Sequence, residues 1–424
     1  MEINRRDDFP GPGSGPADFG VNHGLAPDGY QLVQIGQPGP SAHGGTHAEP
    51  SDAVRTFVFM SNLAAQEATG DEAASVTADR VLTRLQGSHE SRVYLFGLVR
   101  ETENSDNGDT SNGSIAPVGD FGVPVTSAYE QDTHTAETPE YAAFIHLALP
   151  LLEETETAEL DLVFDAEYLP VPGADFNADG TEVAHAALTT AESLARAADR
   201  RVLHIGTQSR ALDDATSHDP LGVILQERGF EALHHDIQVG LDVPHPDTPA
   251  IPLLPRGTEP MVWFDYAIPE HFVPQVLQLL TVVSTDADFG ALTVEPILWT
   301  RKRLADARRR LRDRRAHTML VAIVADGEIY SLTELARHEA ADPTVAEWTM
   351  TVTAREHRNA GYARAAKLVT LAQLPDAWPR VRRTFASHAR DDAALRALDE
   401  RLGVRALSTA ATWEKHLPLR GVRG

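Results

Sequence analysis

Apolar positions along the chain fall into short alternating runs and longer runs of helical spacing, in an order that nearly repeats. GYQLVQI (29–35) reads as a strand, and AVRTFVFMSNLAAQEA (53–68) and VTADRVLTRL (76–85) as helices, the second with Thr77 as its N-cap. RVYLFGLVRE (92–101), YAAFIHLALPLL (141–152) and AELDLVFDAEYL (158–169) read as strands, and 103–114 has the composition of an exposed hairpin loop. A long turn at 171–180 precedes a helix at 181–199, a strand at 200–207 and a helix around 220–230. The Pro-rich stretch 241–260 predicts a linker, after which the order restarts. VPQVLQLLTVV and RKRLADARRRLRDRR are helices, 318–339 a hairpin, and VAEWTMTVT (345–353) a strand. A turn at 355–363, a helix at 364–374, a strand at 380–389, a helix at 391–403 and a strand at 405–417 complete the chain.

The two halves share their order of elements and some wording. TAELDLVFDAEYL (157–169) lies on VAEWTMTVTAREH (345–357) without a gap, placing Ala158–Glu159 over Ala346–Glu347. A tandem duplication is the reading: a loose arm at 1–28, a first unit at 29–240, a linker at 241–260 and a second unit at 261–424.

Charge sharpens that division. The 424 residues carry a formal net charge of −25. Residues 301–424 hold 24 Lys+Arg and 15 Asp+Glu, net +9, which leaves 13 and 47, net −34, for residues 1–300. The acidity argues against nucleic-acid binding, because phosphates require a basic surface. A basic C-terminal part suits an anionic ligand. The acidity of the rest reads equally well as a solvation trait. No apolar run approaches the roughly 18–20 residues of a membrane helix, and the first 16 residues lack the apolar core of a secretion signal, so a cytoplasmic location is expected. The absence of cysteine excludes disulfides, thiolate metal sites and a cysteinyl acyl-enzyme. The scattered histidines show no metal-ligand spacing.

The segment VAEWTMTVTAREHRNAGYARAAK concentrates the candidate chemistry. A glycine at a strand-to-helix turn lets the backbone approach a ligand closely, and the amides at the helix start form an anion site. Arg358 and Arg364 flank Gly361 with fixed positive charge, as a pyrophosphate requires. Alternation places Glu347, Thr349 and Thr351 on one face of the strand and Trp348, Met350 and Val352 on the other.

R-x-x-G-x-A between an apolar strand and an amphipathic helix resembles the acyl-CoA signature of the GNAT acetyltransferase superfamily. The segment 284–304 resembles tandem GNAT proteins of the actinobacterial, mycothiol-synthase-like type. The resemblance covers 260–417 well and 29–240 in outline. It implies an α/β (α+β) fold of two tandem GNAT-like units, each a mixed, mostly antiparallel twisted sheet flanked by helices. It further implies an acetyl-CoA-dependent N-acetyltransferase whose acceptor is a small-molecule amine, attacking directly in a ternary complex, in a monomer or homodimer. Glu347 corresponds to the family's general base. Val352, Arg358, Asn359, Ala360, Gly361, Tyr362, Ala363, Arg364 and His388 correspond to acyl-CoA contacts. The tyrosine that many members use as general acid is replaced by Asp399, so no general acid is assigned. The first unit's turn, FDAEYLPVPGADFNADG, lacks the signature and is acidic, which implies a unit that has lost its cofactor site. The rival reading is a non-catalytic acyl-CoA-binding or scaffold protein built from the same two units.

Overall fold

The computed structural model describes residues 24–36, 49–71, 75–101, 118–130, 139–210, 218–243 and 254–418. The predicted hairpin loop at 103–114 and most of the N-terminal arm lie outside them. In chain order the elements are β1 (Tyr30–Gly36), α1 (Asp52–Thr69), α2 (Ala78–Leu85), β2 (Ser91–Arg100), β3 (Val125–Ser127), β4 (Tyr141–Pro150), β5 (Thr157–Phe164), α3 (Ala178–Ala197), β6 (Val202–Arg210), α4 (Pro220–Glu227) and β7 (Glu231–Asp242). There follow β8 (Glu259–Phe264), α5 (Val273–Asp286), α6 (Arg301–Asp313), β9 (Ala316–Ala325), β10 (Glu328–His338), β11 (Val345–Thr353), α7 (Tyr362–Ala377), β12 (Arg383–Ala389), α8 (Ala393–Leu402) and β13 (Arg405–His416).

Local signals set many of these boundaries. Ser51 caps α1 by accepting from the Val54 N–H, and Gly70 ends it in the left-handed region at φ 65°. Thr77 caps α2 as expected, and Asp392 caps α8 by accepting from Ala394 and Leu395. The helix after the long turn starts at Ala178, earlier than predicted, because Asn177 accepts from the Gly180 N–H at 2.7 Å.

All thirteen strands form one sheet, in the order β3-β1-β2-β4-β5-β6-β13-β7-β12-β11-β10-β9-β8. The pairings are antiparallel except β1/β3, β5/β6 and β11/β12. The halves therefore do not close on themselves. β13, from the end of the chain, pairs with β6 over Val202–Arg210, and β7 pairs with β12. β7 and β13 then pair with each other at the centre.

This exchange bears on the stretch read as a linker. β7 runs through Asp242 and β8 starts at Glu259, so both ends of the 241–260 stretch are strand, while 244–253 lie outside the described residues. The halves share one sheet rather than docking as two. The alternation of EALHHDIQVGLD is broken by polar residues, so β7 goes unannounced by the pattern.

Helices cover both faces in each half. In the first, α3 buries its alanine-rich face against the cluster that includes Phe96, Ile145 and Leu203, while α1 and α2 pack on Phe144 and Val163 of the other face. In the second, α5 and α6 cover Leu320 and Leu332, and α7 covers Val321 and Leu335.

Because β13 completes the first half and β7 the second, unfolding is expected to be one event. Denaturant melts followed by far-UV circular dichroism and by tryptophan fluorescence should superimpose. Two resolved transitions would contradict a shared sheet.

Candidate functional site

Two parallel pairs, β5/β6 and β11/β12, hold the same relative place in the two halves. Thr157–Leu160 pair with Val202–Ile205, and Val345–Trp348 pair with Arg383–Ala386; beyond four residues each pair parts. Glu159 and Glu347 occupy the third paired position in their strands. A strand parting from its neighbour leaves backbone donors and acceptors unpaired and opens a gap through the sheet.

In the N-terminal half that gap is spacious. One cavity of about 410 Å³ runs from the turn before α3, past β5 and β6, to the inner faces of α1 and α2. A second, of about 470 Å³, continues toward the C-terminal half. They share Arg84, His146, Asp161 and Gly206 as walls.

The walls of this cleft carry titratable groups. Glu159 is exposed into the second cavity, and the protein around that cavity, then the nearby Glu154 charge, pushes its carboxyl above the ordinary value. Asp161 lies two residues further along the same face, 3.2 Å from His146 Nδ1. The Asp161 side chain is exposed into the cavity; the protein around it would raise the carboxyl, but the hydrogen bond to His146 and that residue's charge hold it below the ordinary value. His146 Nε2 is buried without a hydrogen-bond partner, and Phe57 stacks on the ring. His204 Nε2 lies 2.8 Å from Glu414 Oε2, which also accepts from the Thr293 N–H at 2.7 Å. That carboxylate ties β13 and the segment before α6 to β6.

The C-terminal gap is built differently. Glu334 of β10 faces Met350, but Leu335 faces Trp348, so Thr349 is a bulge in β11. The bulge overturns the simple alternation. Ala346 and Trp348 point to α7, whereas Met350 and Val352 point to α5 and α6. Glu347 is exposed, and Thr351 leaves its face to bond Thr333 at 2.7 Å. Trp348 Nε1 donates to Thr384 Oγ1 at 3.0 Å across β11 and β12, and the buried Lys367 ammonium lies 4.8 Å from the Trp348 ring. The cavity left between them is about 10 Å³.

The predicted anion turn stands open beside it. Arg358, Asn359, Ala360, Gly361 and Arg364 are exposed, with Tyr362 and Ala363 half-buried and Val352 buried below. Gly361, at φ 86°, starts α7 with no side-chain cap, so the first amides of α7 have no side-chain acceptor. Arg358 and Arg355 both bind Asp286 of α5, and the Arg355 bond, followed by that of Arg358, holds the Asp286 carboxyl well below its ordinary value. His388 is not at the turn: its Nε2 lies 2.7 Å from Asp399 Oδ2, joining β12 to α8.

Glu159, Asp161 and His146 were not among the predicted site residues. A signal for Glu159 exists in the gapless overlay of the halves, which sets it over Glu347.

Comparison with solved structures matches a tandem GNAT protein from the clavulanic acid biosynthesis pathway, at 18% identity and a TM-score of 0.59, over 91% of this chain and 98% of that one. A GCN5-related N-acetyltransferase from Sphaerobacter thermophilus matches at 12% identity and a TM-score of 0.53, over 92% and 96% of the two chains. A glucosamine N-acetyltransferase region of a fungal multi-domain β-N-acetylglucosaminidase matches at 10% identity and a TM-score of 0.52, over 92% of this chain and 38% of that one. No family model and no curated protein matches. At these identities the likeness is one of fold, and the chain has the tandem GNAT fold of N-acetyltransferases. Among the described residues no helix is long and apolar enough to cross a membrane.

Glu414 gives this region a stability test. It is 4% exposed, and although burial would raise its carboxyl, the Thr293 N–H and then His204 hold it below the ordinary value. A depressed carboxylate stabilises the fold above its unfolded pKa and loses that contribution as pH falls through the folded one. Glu414→Ala is expected to cost about 3 kcal/mol in urea unfolding at pH 7, and less at pH 4, because it strands buried donors. An equal cost at both pH values would count against the charged network.

Proposed function

We propose that this protein transfers an acetyl group from acetyl-CoA to a primary amine of a small molecule, by direct attack in a ternary complex, with the reaction set between β5 and β6. The observation that carries this reading is the pair of joined cavities at that gap with Glu159 facing one of them. The co-substrate fits the site in part. The gap offers room for a pantetheine arm, and past Leu160 β5 has no paired partner in β6, so a backbone N–H there can serve the developing oxyanion. The turn before α3 contributes less, since Pro170 and Pro172 supply no N–H and Asp175 adds negative charge.

The chemistry follows from the groups in the cleft. An amine is protonated near pH 7 and cannot attack a thioester until a base takes its proton. Glu159 is that base, directly or through water, and a carboxyl held above its ordinary value takes a proton more readily than one at that value. Asp161 and His146 stand beside it as a paired group that steadies the cationic amine. With no cysteine in the chain, a cysteinyl intermediate is excluded.

A second reading places an acyl-CoA site at the turn 358–364, with Glu347 as base. The uncapped start of α7 and the exposed Gly361 favour it. A single pair of variants separates the two. On the first reading, Glu159→Gln loses about 10²–10⁴-fold in kcat, keeps acetyl-CoA affinity and recovers in part at high pH as the free amine accumulates. Glu347→Gln stays near wild type. A free-thiol release assay with a panel of amines reads both. The reverse pattern would move the chemistry to the C-terminal turn.

A further inference from the structure

The 470 Å³ cavity is also lined by Arg84 at the close of α2 and Arg314 just past α6, one from each half. Other arginines of α6 at this seam are matched. Arg303 holds Glu153 through two bonds of 2.5 and 2.9 Å, and Arg310 holds Glu90 at 2.6 Å. Among the described residues Arg84 and Arg314 make no ion pair or side-chain hydrogen bond, and neither does the neighbouring Arg80. Their mutual repulsion registers in the surroundings. Burial, then Arg84, lowers the Arg80 guanidinium below its ordinary value, while Glu347 partly offsets this. Burial and then the charges of Arg80, Arg314 and Arg84 hold His338 down at about 4, so it adds no charge near neutrality. Of the nearby acids, Asp161 feels Arg84 but is engaged by His146, and Glu90 feels Arg314 but is engaged by Arg310. Both guanidinium groups are exposed to the cavity and its solvent, so an anion entering it can reach them without displacing a protein carboxylate.

We propose that the acceptor is an amine that also carries a carboxylate, held by Arg84 and Arg314 while its amino group reaches Glu159, all three lining the same cavity. This rests on the N-terminal reaction site proposed above. A guanidinium pair suits a carboxylate, which each arginine can meet with two parallel hydrogen bonds. Because the anchor draws one arginine from each half, the acceptor site is complete only when the halves share their sheet. Anchoring that is alike in ground and transition states lowers KM and leaves kcat unchanged.

The test has a binding arm and a turnover arm, both on the full chain. In calorimetry, glutarate is expected to bind wild type and Arg312→Gln alike, and at least about tenfold more weakly to Arg84→Gln and Arg314→Gln. Arg84→Lys should recover part of the affinity. In turnover, α- and ω-amino acids should show a KM at least about tenfold below that of their carboxamides, and Arg84→Gln should erase the difference with kcat nearly unchanged. No glutarate binding, or binding indifferent to Arg84 and Arg314, would overturn the proposal. Displacement of glutarate by adenosine 3′,5′-bisphosphate would also overturn it, by giving the arginines to the nucleotide. A failure of the reaction site itself would look different: glutarate would bind as expected while Glu159→Gln kept full turnover.

Discussion

The exchange of two strands at the middle of the sheet is the constraint on which the rest depends. β13 adds to β6 and β7 adds to β12, so neither half owns the strand that completes its edge. A sheet edge left open is a row of unpaired backbone groups, and each half closes the other's. With the edges spoken for, the two parallel pairs part toward opposite sides of a common centre. The cleft between β5 and β6 gains its far wall from the C-terminal half through Thr412 and Arg314. The repeated order of elements thus builds one sheet with a cavity at its seam rather than two separate sheets.

The halves have diverged in what they keep. The C-terminal half retains an open glycine turn with an uncapped helix behind it, but Trp348, Lys367 and Thr384 fill the neighbouring gap. The N-terminal half has prolines in its turn and a side-chain cap on α3, yet it keeps the space and the partly desolvated carboxylate. Room and charge are separate requirements of an acyl-transfer site, and here they are unequally divided. Both glutamates are exposed, and the weight given to Glu159 over Glu347 comes from the cavity it faces and from a carboxyl held above its ordinary value.

Elements with strong local signals were legible in the sequence. The Thr77 cap, the β9–β10 hairpin and the strand-turn-helix around Gly361 stand where the pattern put them. Three features were not legible, each for a physical reason. β7 carries His234, His235 and Asp236, and its identity as a strand comes from neighbours on both sides rather than from alternation. The bulge at Thr349 is a one-residue slip in pairing, which leaves no trace in composition but turns Thr351 away from the face of Glu347. The N-terminal cleft was hidden because its turn reads as hostile to phosphates, while the space lies further in, between strands whose separation no local residue announces.

The central claim is that the acyl donor enters between β5 and β6. Hydrogen–deuterium exchange of the full chain with and without acetyl-CoA tests it most directly. The account predicts slowed exchange in the turn at 169–176 and in β6 from Gly206 to Arg210, both of which line the first cavity. Slowing confined to 355–364, with the N-terminal cleft unchanged, would contradict it.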